Sequence, residues 1–260
     1  MWEGFAQNVP GILLVFTRLS GLIVTAPLFS YRNVPALLKM GFASLLAVML
    51  FPYAGPASPV EFLSVSYFLQ VIEELALGLG LGFVANLSLQ AIYLAGQLMD
   101  VPMGFGMVNI LDPQLGMQVP IMARFYNTIA VLVFLGVNGH HMVLMALMRS
   151  FELLPIGQIK WGPGVVMVLI QGFGWMFVLG VKIALPVMGA IFLTDIALGI
   201  IARSVPQMNV FIVGFPVKIG VSLFLLIFVL PNYIRVIGQL FGESGDMLFY
   251  LWEFISSLKG

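Results

Sequence analysis

His140 and His141 are the only histidines in the chain, and cysteine is absent. Adjacent positions on a helix diverge by about 100°, so the pair cannot readily chelate one metal. The pair sits in the middle of an apolar segment, or at a break caused by Gly136 and Gly139. A proton relay would need acidic companions along a path, and the segment supplies none. A packed or hydrogen-bonded histidine is the simpler reading. Without cysteine there is no disulfide, thiolate metal site or thiol catalysis within the chain. The run GLGLGF at Gly78 to Phe83 lacks the lysine or strand context of a phosphate cradle. No activated serine stands out. The expectation is a chain without catalytic, cofactor or metal site, and not an enzyme.

Four charges stand isolated in apolar segments: Arg18, Lys182, Asp195 and Lys218. Each costs at least about 2.5 kcal/mol at a bilayer centre unless paired or hydrated. Ion pairs with another helix or another subunit are the natural remedy. The order Lys182, Asp195, Lys218 suggests that the last two segments form a hairpin with Asp195 near its end.

A periodic pattern lies in the third apolar segment. Glu74, Gly78, Gly82, Asn86 and Gln90 recur every four residues, and Tyr93, Gln97 and Asp100 continue at three or four. On a helix these fall along one slowly drifting stripe, small in its lower part and polar above. Gly78 and Gly82 permit close approach by another helix. The amides would be costly against lipid and should face protein or water. Ordinary helix packing and the polar wall of a conduit both fit.

The stretch VPMGFGMVNILDPQLGMQVPIM, Val101 to Met122, is greasy although glycine and proline break it repeatedly. Methionine is unbranched and polarizable, so it seals against surfaces of changing shape. Met103, Phe105, Met107, Val108, Ile110, Leu111 and Met117 suit an apolar plug, since a hydrophobic constriction can close a pore by excluding water. A loop buried among neighbouring helices fits equally. Asp112-Pro113 reads as a turn initiator.

These residues must be positioned by membrane-type helices. Of 260 residues 61% are hydrophobic and 8% charged, with a mean hydropathy of +1.08. A soluble domain carries about a quarter charged residues, so lipid or hydrophobic partners must surround this chain. Basic and acidic side chains balance at eleven each, which leaves no basic patch for nucleic acid. The first basic residue is Arg18, so the amino end lacks the charged region of a signal peptide and is expected to be mature structure. Six segments approach the roughly 20 apolar residues of a spanning helix: Pro10 to Ser30, Met40 to Val60, Leu75 to Met99, Phe125 to Met148, Val165 to Thr194 and Phe211 to Ile234. Met247 to Lys259 forms a shorter helix that either docks on partners or lies at the interface. The fold class is an all-α membrane protein of helical hairpins, with a long apolar loop between the third and fourth segments. Arg32 and Lys39 place the first connection in the cytoplasm, but Arg149 and Lys160 claim the same side against a strict count of crossings. Orientation stays open.

The stretch GQLMDVPMGFGMVNILDPQLGMQVP, Gly96 through Pro120, with Asn138-Gly139-His140-His141 beside it, resembles the signature region of the FliR family, subunits of the flagellar type III export gate. The hydrophobic layout is similar along essentially the whole chain. The resemblance implies one copy joining FliP-like and FliQ-like membrane subunits, with an FlhB-like subunit nearby. Residues 1–160 would be the FliP-like region, 161–238 a FliQ-like hairpin, and 239–260 a carboxy-terminal tail. It implies a plug built from the loop, unfolded flagellar proteins as cargo, and a bacterial inner membrane location at the flagellar basal body. The rival reading is a small-molecule secondary transporter, with the stripe from Asn86 to Asp100 as its path.

Overall fold

A computed structural model of the chain describes residues 2–30, 34–54, 62, 64–105, 120–207 and 209–259. All regular structure among them is helical: α1 (Trp2–Thr25), α2 (Ala36–Leu50), a short 3-10 turn (Phe51–Tyr53), α3 (Val65–Asp100), α4 (Ile121–Gly136), α5 (Gly139–Leu153), α6 (Pro163–Ser204), α7 (Val210–Leu240) and α8 (Asp246–Ser257). Five helices are long and apolar enough to cross a membrane, and six spans result if the broken pair α4 and α5 counts as one. The chain is an all-α membrane protein, as its composition requires.

Several boundaries differ from the periodicity. The fourth segment, expected from Phe125 to Met148 as one stretch, is two helices. Asn138 adopts the left-handed conformation, φ 58°, which few residues besides glycine and asparagine tolerate. The third helix begins ten residues before the expected Leu75, because the carboxylate of Glu74 is buried in an ion pair rather than marking an end. The fifth runs ten residues past Thr194, because Asp195 is neutralised by Lys218.

The chain divides into two compact units. The first comprises Met1–Ser88, Leu135–Phe173 and Leu240–Gly260. In it α1 packs on α2 and, through glycines, on the first half of α3. The carboxy-terminal helix α8 docks within this unit. Met247, Leu248, Leu251, Phe254 and Ile255 are buried, the Phe254 ring fills the space over Gly80, and α8 packs on α5. The Arg149 guanidinium stacks 5.4 Å from the Trp252 ring centre.

The second unit comprises Leu89–Phe134 and Gly174–Gln239. Its α6 and α7 segments are antiparallel: Leu179 and Pro186 line the same cleft as Val236 and Val229, and Asp195 pairs with Lys218 further along. Gly180 lets α6 approach the Ala91 carbonyl of α3 closely, since an added Cβ would lie 2.9 Å away. The Tyr233 hydroxyl donates to the Tyr126 carbonyl at 3.1 Å.

Candidate functional site

The lower half of the polar stripe is a helix seam. A Cβ on Gly78 would collide with the Arg18 carbonyl, and one on Gly82 with the Thr25 hydroxyl. From the opposite side a Cβ on Gly21 would stand 2.6 Å from the Leu75 carbonyl. Small residues on both helices thus bring the backbones of α1 and α3 into contact, the usual arrangement where lipid gives no hydrophobic drive to associate. Thr25 Oγ1 donates to the Leu79 carbonyl at 3.0 Å across the seam.

One turn away the seam holds a closed polar cluster. Arg18 and Glu74 are completely buried and paired at 2.5 Å. The other guanidinium nitrogens donate to Ser150 Oγ at 3.1 Å and to the Leu154 carbonyl at 3.0 Å. Arg18 also lies 4.1 Å from the Phe151 ring centre. Glu74 Oε1 accepts the Gly157 amide at 3.2 Å. Arginine's rigid fork suits such a multiply bonded buried site. With its donors and acceptors matched, the cluster clamps helices and presents no reactive group.

Higher on the stripe the environment changes. Asn86 is half-buried, while Gln90 and Gln97 are exposed on this chain. Asp100 is buried and accepts the amides of Met122 at 2.9 Å and Ala123 at 3.4 Å. These are first-turn amides of α4, which no helical carbonyl can satisfy. Asp100 is therefore a cap supplied from a distant point in the chain. It clips together the two ends of the greasy loop. Gly96 seats directly on the Ala123 backbone, where a Cβ would lie 2.6 Å from the amide nitrogen.

Of the candidate plug residues, Met103 and Phe105 are described. Met103 is fully buried in the turn after α3, and Phe105 is half-buried. Gly104 between them has φ +92°, a conformation strained for other residues. Met107, Val108, Ile110, Leu111 and Met117 lie outside the described residues, as does Asp112-Pro113.

The isolated charges separate. Arg18 takes Glu74 and Lys218 takes Asp195, so the expected hairpin with Asp195 towards its end is present. Lys182 is exposed and lines a cleft of about 240 Å³ with Asn232, Tyr233 and apolar residues of α6 and α7. His140 Nδ1 is buried without a hydrogen-bond partner, its ring 4.2 Å from that of His141. Among the described residues no group of three His, Asp or Glu side chains is placed to hold a metal.

Sequence reasoning named Arg18 and Glu74 separately but missed Ser150, Leu154, Gly157 and Gly21. The first three act through positions brought together only by folding. Gly21 could have been found as the small residue one turn after Arg18.

Residues 9–244 match the model of the family described as bacterial export proteins, family 1. The flagellar biosynthetic protein FliR of Bacillus subtilis is 39% identical over 235 residues, covering 89% of this chain and 90% of the relative. FliR of Pectobacterium carotovorum is 32% identical, covering 90% of this chain and 89% of the relative. FliR of Escherichia coli is 29% identical, covering 89% and 88%. The match spans the glycine seam, the Asp100 clip, the greasy loop and the α6–α7 hairpin alike, and the chain belongs to the FliR family of bacterial export proteins.

Proposed function

We propose that the chain is a structural and gating subunit, without enzymatic activity, of the flagellar type III protein-export channel. It joins FliP-like and FliQ-like subunits in the bacterial inner membrane at the flagellar basal body, beside an FlhB-like subunit. Residues 1–160 form the FliP-like part, 161–238 the FliQ-like hairpin and 239–260 the tail. Unfolded flagellar proteins are the cargo, and the loop from residue 101 to 122 seals the pore as an apolar plug.

The exposed apolar face of α6 carries this reading. Exposed large apolar side chains run from Val166 through Phe177, Leu185 and Phe192 to Ile201, about 53 Å at 1.5 Å per residue. A bilayer's hydrocarbon core is about 30 Å thick. Fitting such a face into lipid as one straight helix needs a tilt of about 55°, outside the range of about 0–40° seen for spanning helices. Protein neighbours over part of this face account for the excess length, as expected of an assembly subunit. The greasy loop tied at its base by Asp100 supports the gating role, and the flagellar names of the relatives support the setting.

The test is ion leakage through the assembled complex reconstituted in vesicles. Phe105→Gly and Met107→Gly remove apolar bulk from the loop and should raise leakage severalfold with assembly intact. Leakage unchanged from wild type in both assembled variants would count against the plug.

A further inference from the structure

Lys182 sits 19 residues from Pro163 and 22 from Ser204, hence about 30 Å from either end of α6. Among the described residues no carboxylate lies within ion-pair distance of it, whereas Arg18 and Lys218 each hold one. Its exposed neighbours on α6 are Phe177, Val178 and Leu185, and Phe224 and Phe228 are exposed on α7. The ammonium group therefore stands in the middle of a broad apolar face, where an unpaired charge costs at least about 2.5 kcal/mol.

The cleft beside it is shaped for one group. Leu179, Ile183 and Pro186 of α6 face Val229 and Val236 of α7, and the polar lining includes Lys182 and Asn232. The neighbouring Tyr233 hydroxyl is already engaged with the Tyr126 carbonyl. An ammonium supplies up to three donors and a side-chain amide two. Together they match the two oxygens of a carboxylate.

We propose that Lys182 and Asn232 form a receptor for a single Asp or Glu carboxylate carried on an apolar helix of a neighbouring subunit. The proposal rests on the export-gate reading above and names the chemistry of one of its contacts. Charge complementarity selects the occupant. An apolar helix satisfies the rim of the cleft, one carboxylate satisfies its centre, and the Arg18–Glu74 and Lys218–Asp195 pairs join helices in the same way. A buried pair of this kind fixes register between helices more than it adds affinity.

The experiment co-expresses the full chain with its membrane partners and purifies the complex in mild detergent. Lys182→Glu should lower partner recovery at least about tenfold and Lys182→Met severalfold, while Lys182→Arg stays within about twofold of wild type. Selection for restored recovery in the Lys182→Glu background should yield an Asp or Glu to Lys change on a partner's apolar helix. Wild-type recovery by Lys182→Glu or by Lys182→Met would overturn the receptor and leave the export-gate reading standing. So would suppressors confined to this chain. Intact assembly with loss of bound phospholipid phosphorus would assign the site to a lipid headgroup instead. Failure of the wild-type chain to recover any membrane partner would overturn both readings.

Discussion

Replacing Arg18 with methionine keeps the volume of a long side chain but removes every donor that faces Glu74 from α1. The carboxylate then stays buried with the Gly157 amide as its hydrogen-bond donor. Ser150 Oγ and the Leu154 carbonyl lose their guanidinium contacts as well. Breaking one side of a buried ion pair costs about 3–5 kcal/mol, because the remaining charge is uncompensated. Each orphaned neutral group adds about 1–3 kcal/mol when counted alone, but these losses share one cluster and do not sum. We expect Arg18→Met to lose about 3–5 kcal/mol, and Glu74→Met a similar amount. The double replacement exchanges charge for apolar packing and should lose about 2 kcal/mol or less, the residue of the unfilled Gly157 amide and Leu154 carbonyl. The cycle then yields a coupling of at least about 4 kcal/mol, above the roughly 0.5–3 kcal/mol usual for contacting groups, because each single replacement strands a buried charge. Denaturant unfolding of the complex purified with its membrane partners in mild detergent, followed by helical circular dichroism, compares all four versions of the chain. Arg18→Met within about 1 kcal/mol of wild type, or a double variant as unstable as the two singles combined, would refute the cluster as a clamp.

The seam predicts a contrast between two glycines. Gly78→Leu must force its side chain into the Arg18 carbonyl and the Leu22 amide, which are backbone and cannot yield, so about 3 kcal/mol or more is lost. Gly41→Ala meets nothing within 4 Å and should stabilise α2 by about 0.5–1 kcal/mol; the same unfolding assay reads both. At the loop, Asp100→Ala removes the cap from α4 and should cost about 1 kcal/mol. Local opening then rises about fivefold, which limited proteolysis across residues 101–120 would detect. Unchanged cleavage rates would show that Asp100 does not secure the loop.

Apolar runs and breakers carry most of the helix layout, because a spanning segment needs length and greasiness more than any exact pattern. The break from Val101 to Met122 was legible close to its ends, since α3 stops at Asp100 and α4 starts at Ile121, and the order of Lys182, Asp195 and Lys218 already suggested a hairpin. What periodicity could not show is which charge meets which. Arg18 and Glu74 are 56 residues apart, and only the glycine seam between α1 and α3 brings them together. The same seam explains why a stripe that looked continuous from Glu74 to Asp100 divides in use. Its lower glycines are packed, Gln90 and Gln97 are exposed, and Asp100 caps α4. The apolar pattern of α8 left docking on partners and lying at the interface both open, and it held no information on the contacts seen, with α5 and Gly80 of its own chain.

The central claim, that this chain works only as part of an export gate, is tested most directly by purifying the tagged chain from its native cell in mild detergent and identifying what accompanies it by mass spectrometry. The account predicts stable recovery with two smaller hydrophobic subunits of the FliP and FliQ kinds, and loss of integrity when they are absent. A well-behaved lone chain or homodimer would contradict it and turn attention to the polar stripe from Asn86 to Asp100 as the path of a small-molecule transporter.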